Sequence, residues 1–153
     1  MSDPGPFPTR ETLLAMSGMD FMQAMLAGRI APSGIWQVMG FALHAVTHGR
    51  VMFHGTPGLQ HANPVGAVHG GWYGTLLDSA MGCAVMTAVP QGKWYTTLEY
   101  KISLIRPATF GTTVQVTGIL DHCGRSTAVA HGEIRGMDDR LHATGSTTCI
   151  LMH

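Results

Sequence analysis

The stretch NPVGAVHGGWYGTLLDSAMG, residues 63–82, decides how the chain is read. Its second half has the character of a helix buried on most sides. Leu76, Leu77, Ala80 and Met81 are followed by Ala84, Val85 and Met86, which leaves little polar surface. Yet this apolar run carries one carboxylate, Asp78, nine residues after His69 in a His-Gly-Gly step. Aspartate is a poor helix-interior residue and is costly to bury unpaired. Its position therefore demands either a structural partner or a chemical use.

The charge pattern sharpens that demand. Between Asp20 and Glu99, Asp78 is the single acidic residue. Only 12% of the 153 residues are charged, while 45% are hydrophobic, and the net charge is zero. Such a sparse charged surface leads us to expect a homo-oligomer that covers apolar surface between copies. With no run of Lys or Arg, nucleic acid is not an expected ligand. No apolar run is long enough for a membrane span, and the N-terminus lacks the basic segment of a signal peptide. Three scattered cysteines, Cys83, Cys123 and Cys149, form no CxxC pair. These features together lead us to expect a cytoplasmic protein with reduced thiols.

Working outward from the helix, which we place at Gly70 to Val89 with Pro90 and Gly92 after it, the chain reads in order. Residues 2–8 form a tail. Thr9 to Ala27 forms one N-terminal helix, closed by Gly28 and Pro32. Ile35 to Thr47 is a strand, paired through a turn at Gly49 with Val51 to Gly55. After the helix, alternation places strands at 94–106, 112–120, 126–136 and 141–151, with turns at Gly124 and at Asp138-Asp139. Four consecutive short strands joined by tight turns imply antiparallel pairing. The expected class is α+β: an antiparallel sheet wrapped round one long central helix, with an extra N-terminal helix. We divide the chain into an N-terminal tail and helix, 1–34, and a main domain, 35–153.

The start of the central helix has its own chemistry. Its first N–H groups lack intrahelical acceptors and carry partial positive charge, which suits an anion. Gly70 and Gly71 have no Cβ, so a ligand can approach their backbone closely. An oxyanion forming there would be stabilised. Asp78 lies about 12 Å further along the axis, two turns away. One reacting carbon cannot touch both in the same chain, but a symmetric dimer can bring the helix start of one subunit to Asp78 of the other.

The segment resembles the hotdog-fold acyl-CoA thioesterases, in particular the PaaI-like subgroup linked to phenylacetate degradation. The resemblance covers about residues 35–150. It rests on Asn63, His69-Gly70-Gly71, Asp78, a hydroxyl residue in WYTTLEY (Thr97), LIRPA at 104–108 and CGRST at 123–127. It implies hydrolysis of a thioester with Asp78 as general base or as nucleophile in an anhydride route. It further implies that the N–H of Gly70 or Gly71, with Gly70 preferred, holds the thioester oxygen. Asn63 would place the thioester or the water, and Thr97 would hold the water or Asp78. Asp78 and Thr97 would come from one subunit of a dimer or tetramer, Gly70 and Asn63 from the other. His69 would orient the loop or act directly. Arg106 and Arg125, the latter beside Ser126 in a Gly-Arg-Ser turn, are the candidates for CoA phosphate. Trp72, Tyr73, Met81 and Met86 would shape an acyl pocket for an aryl or medium-length chain. The N-terminal helix either covers that pocket or packs on the fold.

No cofactor is expected. His44, His48, His54, His61 and His69 lack acidic or cysteine partners at ligand spacing, so no metal is expected either. The absence of GxSxG argues against a hydrolase-elbow triad. A protein that binds acyl-CoA without turnover is the alternative from outside the enzymes.

Overall fold

A computed structural model describes residues 7–153; residues 1–6, most of the expected tail, lie outside the described residues. The elements run α1 (Arg10–Leu14), α2 (Gly18–Leu26), α3 (Gly34–Val38), β1 (Phe41–Thr47), β2 (Arg50–Gly55), α4 (Gly70–Met86), β3 (Trp94–Leu104), β4 (Val114–Cys123), β5 (Thr127–Gly136) and β6 (Leu141–Met152). Six antiparallel strands form one sheet in the order β1-β2-β4-β5-β6-β3. The helix α4 lies across it and packs against β2, β3, β4, β5 and β6. Leu76, Leu77, Ala80, Met81, Ala84 and Val85 are fully buried there. Among the described residues, no helix is long and apolar enough to cross a membrane.

A row of glycines lets the helix sit this close. Gly118, Gly132 and Gly145 are direct neighbours across β4, β5 and β6. A Cβ on Gly118 would stand 2.1 Å from the Ala80 carbonyl oxygen. One on Gly132 would meet Met81 Cγ at 3.0 Å, and one on Gly145 would meet Met81 Cε at 3.3 Å. The row is a groove in the sheet, cut to the depth that α4 fills.

Three expected elements differ from those observed. The N-terminal helix is two helices, because Ser17 caps a new one: its Oγ accepts from the Asp20 N–H at 3.1 Å. At the break, the Gly18 N–H donates to the Val89 carbonyl. A Cβ on Gly18 would overlap the Met86 carbonyl oxygen, so the chain must approach here without a side chain. Second, residues 35–38 are not strand but the bulk of α3. Trp36 is buried against Phe41 and Phe53, and its indole N–H donates to Ser79 Oγ at 3.2 Å. That tertiary anchor overrides the local alternation. Gly40, at φ +69°, then turns the chain into β1. The central helix also ends three residues before the expected Val89, with Thr87 at its C-cap.

Candidate active site

Asp78 sits on the face of α4 turned towards β3, half-buried. Thr97 Oγ1 donates to its Oδ1 at 3.0 Å. The strand makes this contact through a bulge between Thr97 and Glu99, where the register against β6 shifts. A bulge re-aims the side chains beside it; here Thr97 faces the helix and Thr96 stays exposed. Burial pushes the Asp78 carboxyl above the ordinary carboxylate range, and the Thr97 hydrogen bond pulls part of the way back. A carboxylate raised by desolvation is a stronger base and a less solvated nucleophile than one in water.

The other half of the expected site is built by the loop before α4. Asn63 ties that loop together: its Oδ1 accepts from the Val65 N–H at 3.1 Å and the Ala67 N–H at 3.0 Å. Its own N–H donates to the Ala67 carbonyl. The carbonyl end of the side chain is therefore engaged, and the Nδ2 amide is the end that can face a ligand. His69 is the N-cap of α4. Its Nδ1 accepts from the Gly71 N–H at 2.8 Å. That bond requires an unprotonated Nδ1, so the neutral ring carries its proton on Nε2. It also consumes the Gly71 donor. The Gly70 N–H has no acceptor among the described residues, which leaves it as the donor the helix start can offer. No single protomer brings Gly70 and Asp78 together, since eight helical residues hold them about 12 Å apart.

The remaining expected residues are dispersed. Trp72 is 1% exposed and its indole N–H donates to the Met39 carbonyl at 2.8 Å. Tyr73 is buried and its hydroxyl accepts from the Ala108 N–H. Met81 is fully buried in the groove. These three hold the core together and offer no surface to a ligand. Their apolar bulk in the site stretch is what made them resemble pocket walls. Arg106 donates to the Leu141 carbonyl at 3.1 Å, at the end of the sheet where α4 begins. Arg125 and Ser126 lie at the opposite end: the Arg125 carbonyl accepts from Lys93 Nζ, and that of Ser126 from the Leu151 N–H. Residues 141 and 151 of β6 are roughly 30 Å apart by strand rise. One chain cannot apply both arginines to one phosphate group.

Two residues near Asp78 are not among the expected site residues. Tyr95 is two residues before Thr97, hence on the same face of β3, and its hydroxyl lies against Gly82. Cys83 is buried five residues after Asp78. Burial, with the Asp78 charge adding to it, pushes the Cys83 thiol up to about 12. Burial likewise holds the Tyr95 hydroxyl well above its ordinary range. Both groups are neutral at physiological pH, so neither offers a thiolate or phenolate nucleophile. Strand alternation from Thr97 is the signal that would have pointed to Tyr95.

Residues 65–143 match the thioesterase superfamily model, and the chain belongs to that superfamily. Comparison with curated proteins gives no match. A phenylacetic acid degradation-related protein from Ralstonia eutropha JMP134 is 28% identical, with a TM-score of 0.77 over 85% of this chain and 98% of its own. The PaaI protein of the Escherichia coli phenylacetic acid degradation operon superposes with a TM-score of 0.77 at 21% identity, over 90% of this chain and 96% of its own. A Streptococcus mutans UA159 protein, solved bound to acetyl-CoA, gives 0.68 at 23% identity over 74% and 89%. The architecture is thus the hotdog fold and the class is thioester hydrolase.

Proposed function

We propose that the protein hydrolyses the thioester of an aryl- or medium-chain acyl-CoA, releasing the free acid and CoA. The observation that carries the reading is the Asp78–Thr97 pair: a half-buried carboxylate, raised by desolvation and held at 3.0 Å by a hydroxyl, on an otherwise apolar helix. The acetyl-CoA carried by the Streptococcus mutans neighbour supports a CoA ester as the substrate class. Asp78 activates the attacking water as general base, or attacks the carbonyl itself to give an anhydride that water then opens. The Gly70 N–H, at the positive end of the helix dipole, receives the carbonyl oxygen as its charge grows. Asn63 Nδ2 orients the thioester or the water. On the groove at the α4 end of the sheet, Arg106 with Arg140 and His142 offers donors for the CoA phosphates.

The reading requires two subunits. The outer side of β3 is an 11-residue sheet edge with Leu98, Tyr100 and Leu104 about half-exposed along it. Long apolar edges of this kind are normally covered. A second copy placed there brings its Gly70 and Asn63 to Asp78 and Thr97, giving two shared sites per dimer.

Complementation between two dead variants tests both halves of the proposal. Asp78→Asn removes the carboxylate. Gly70→Pro removes one N–H at the first helical position, where proline is accommodated, and His69 already has the extended ψ of 140° that a residue before proline needs. Each homodimer should lose CoA release. In an equal mixture, half of the dimers are mixed and one of their two sites is whole, so about a quarter of wild-type activity should return. Absence of recovery, with both variants folded, contradicts the shared site. Wild-type protein that binds acyl-CoA but never releases thiol contradicts the hydrolase and favours the binding protein.

A further inference from the structure

Residues 7–38 precede the segment that the superfamily model matches, and they roof the C-terminal half of α4. Beneath them lies a cavity of about 330 Å³. Leu13, Phe21, Met25 and Trp36 come from the roof; Cys83, Met86 and Tyr95 come from the helix and β3. The lining is almost entirely apolar. For scale, a dry apolar cavity of about 150 Å³ holds a benzene ring. The space here takes an aromatic ring with several methylenes, or a medium-length chain.

Its position gives that space a use. From Asp78, one turn along α4, about 6 Å, leads to Gly82 and the cavity-lining Cys83. From Thr97, two residues along β3, about 7 Å, lead to Tyr95. Tyr95 Oη would stand 2.4 Å from a Cβ at position 82, so the hydroxyl end of the ring packs against the helix where glycine leaves room. Tyr95 thus lines the cavity two residues along the strand from Thr97. Trp36 fixes the roof to the same turn of helix through its hydrogen bond to Ser79, the residue after Asp78.

We infer that the cavity under the N-terminal helices is the acyl pocket, and that it selects thioesters with an arylacetyl or medium-chain acyl group. The inference rests on the hydrolase reading for its chemistry, but on the cavity alone for binding. A thioester carbon at Asp78 directs its acyl group past Tyr95 and under α2. Residues 7–38 are therefore a specificity element and not merely a covering. The core residues Trp72, Tyr73 and Met81 take no part.

Two variants of opposite sign test this. Ala31→Trp fills the cavity from its rim, and Met25→Ala enlarges it. Rates of CoA release are measured with acetyl-, phenylacetyl-, hexanoyl- and decanoyl-CoA. Separately, Trp36 and Trp94, both in the lining, report by fluorescence on titration with phenylacetate and decanoate. Each buried methylene contributes about fourfold in affinity, so excluding even two lowers kcat/KM more than tenfold. Ala31→Trp should impose that loss on the phenylacetyl and decanoyl esters, leave the acetyl ester within about twofold, and abolish the fluorescence response. Met25→Ala should shift the preference towards decanoyl. Wild-type turnover with parallel chain-length profiles in all three proteins overturns the pocket and leaves the hydrolase standing. No turnover, but a fluorescence response that Ala31→Trp abolishes, overturns the hydrolase and supports the acyl site. Neither turnover nor response overturns both.

Discussion

One methyl group added at Gly118 should lift the central helix off its sheet. In Gly118→Ala the new Cβ stands 2.1 Å from the Ala80 oxygen, 2.3 Å from its carbonyl carbon and 2.7 Å from the Met81 nitrogen. All three are backbone atoms, so no side-chain rotation relieves the clash. A tolerable C···O contact is about 3.3 Å, which requires a separation of roughly 1.2 Å. The surfaces being parted are fully buried: Leu76, Leu77, Ala80, Met81 and Ala84. A gap of 0.5–1 Å already forfeits about a quarter to a half of the dispersion energy across it. Overpacking usually costs about 1–3 kcal/mol, and a backbone-to-backbone clash belongs at the top of that range. At roughly 2–4 °C per kcal/mol for a chain of this size, Tm should fall by about 6–12 °C. Displacement on the ångström scale also strains the 3.0 Å Thr97–Asp78 contact, and misplacement of that order can cost about 10²-fold in rate. Thermal unfolding by circular dichroism measures the first effect and CoA release the second. Gly34→Ala is the comparison, because its Cβ meets only the Phe7 ring at 3.7 Å; it should leave Tm unchanged or slightly raised. A Gly118→Ala protein that melts with the wild type would refute the idea that the glycine row sets the seat of α4.

Gly70→Pro should retain the fold and lose about 10²–10³ in kcat, the usual loss for one oxyanion donor, with far-ultraviolet circular dichroism as the check on the helix. Thr97→Val removes the bond that favours the ionised Asp78, so the acid limb of the pH–rate profile should move to higher pH; an unmoved limb would mean the hydroxyl does not touch the reacting carboxylate. Because burial raises the folded-state pKa of Asp78, its ionised form is disfavoured in the native protein, and its stability contribution is lost as pH rises through that pKa. Asp78→Asn should therefore melt higher than wild type at neutral pH, with the gain vanishing as pH falls towards the ordinary aspartate range. His69→Ala deletes the cap on Gly71 N–H and should cost about 1 kcal/mol, while His69→Asn, which can cap in the same way, should restore most of it in a denaturant titration.

Much of the site was legible because chemistry isolates it in the sequence. Asp78 is the lone carboxylate in a long uncharged tract, and His-Gly-Gly before an apolar run marks a helix start that can meet a ligand. Strand alternation located β3 to β6 closely, while the hydroxyl beside Asp78 came from the family resemblance of WYTTLEY and not from periodicity. The choice of Thr97 over Thr96 depended on a bulge, which no periodicity announces. What stayed hidden was tertiary. Trp36 leaves its local strand-like pattern because Ser79, 43 residues away, accepts its indole N–H. The break at Ser17-Gly18 depends on the backbone of residues 86–89. Gly118, Gly132 and Gly145 look like weak points in three separate strands until register aligns them under one helix. Trp72 and Tyr73 looked like pocket walls because bulk and aromaticity serve cores and pockets equally.

In the proposed mechanism Asp78 performs the hydrolysis. The direct measurement is thiol release from phenylacetyl-CoA and hexanoyl-CoA by wild type and by Asp78→Asn, which keeps the shape of the side chain and its acceptor for Thr97. Loss of the base or nucleophile should lower kcat by about 10³-fold with little change in KM, while Tm holds or rises. An Asp78→Asn protein that turns over within a few-fold of wild type would contradict the account.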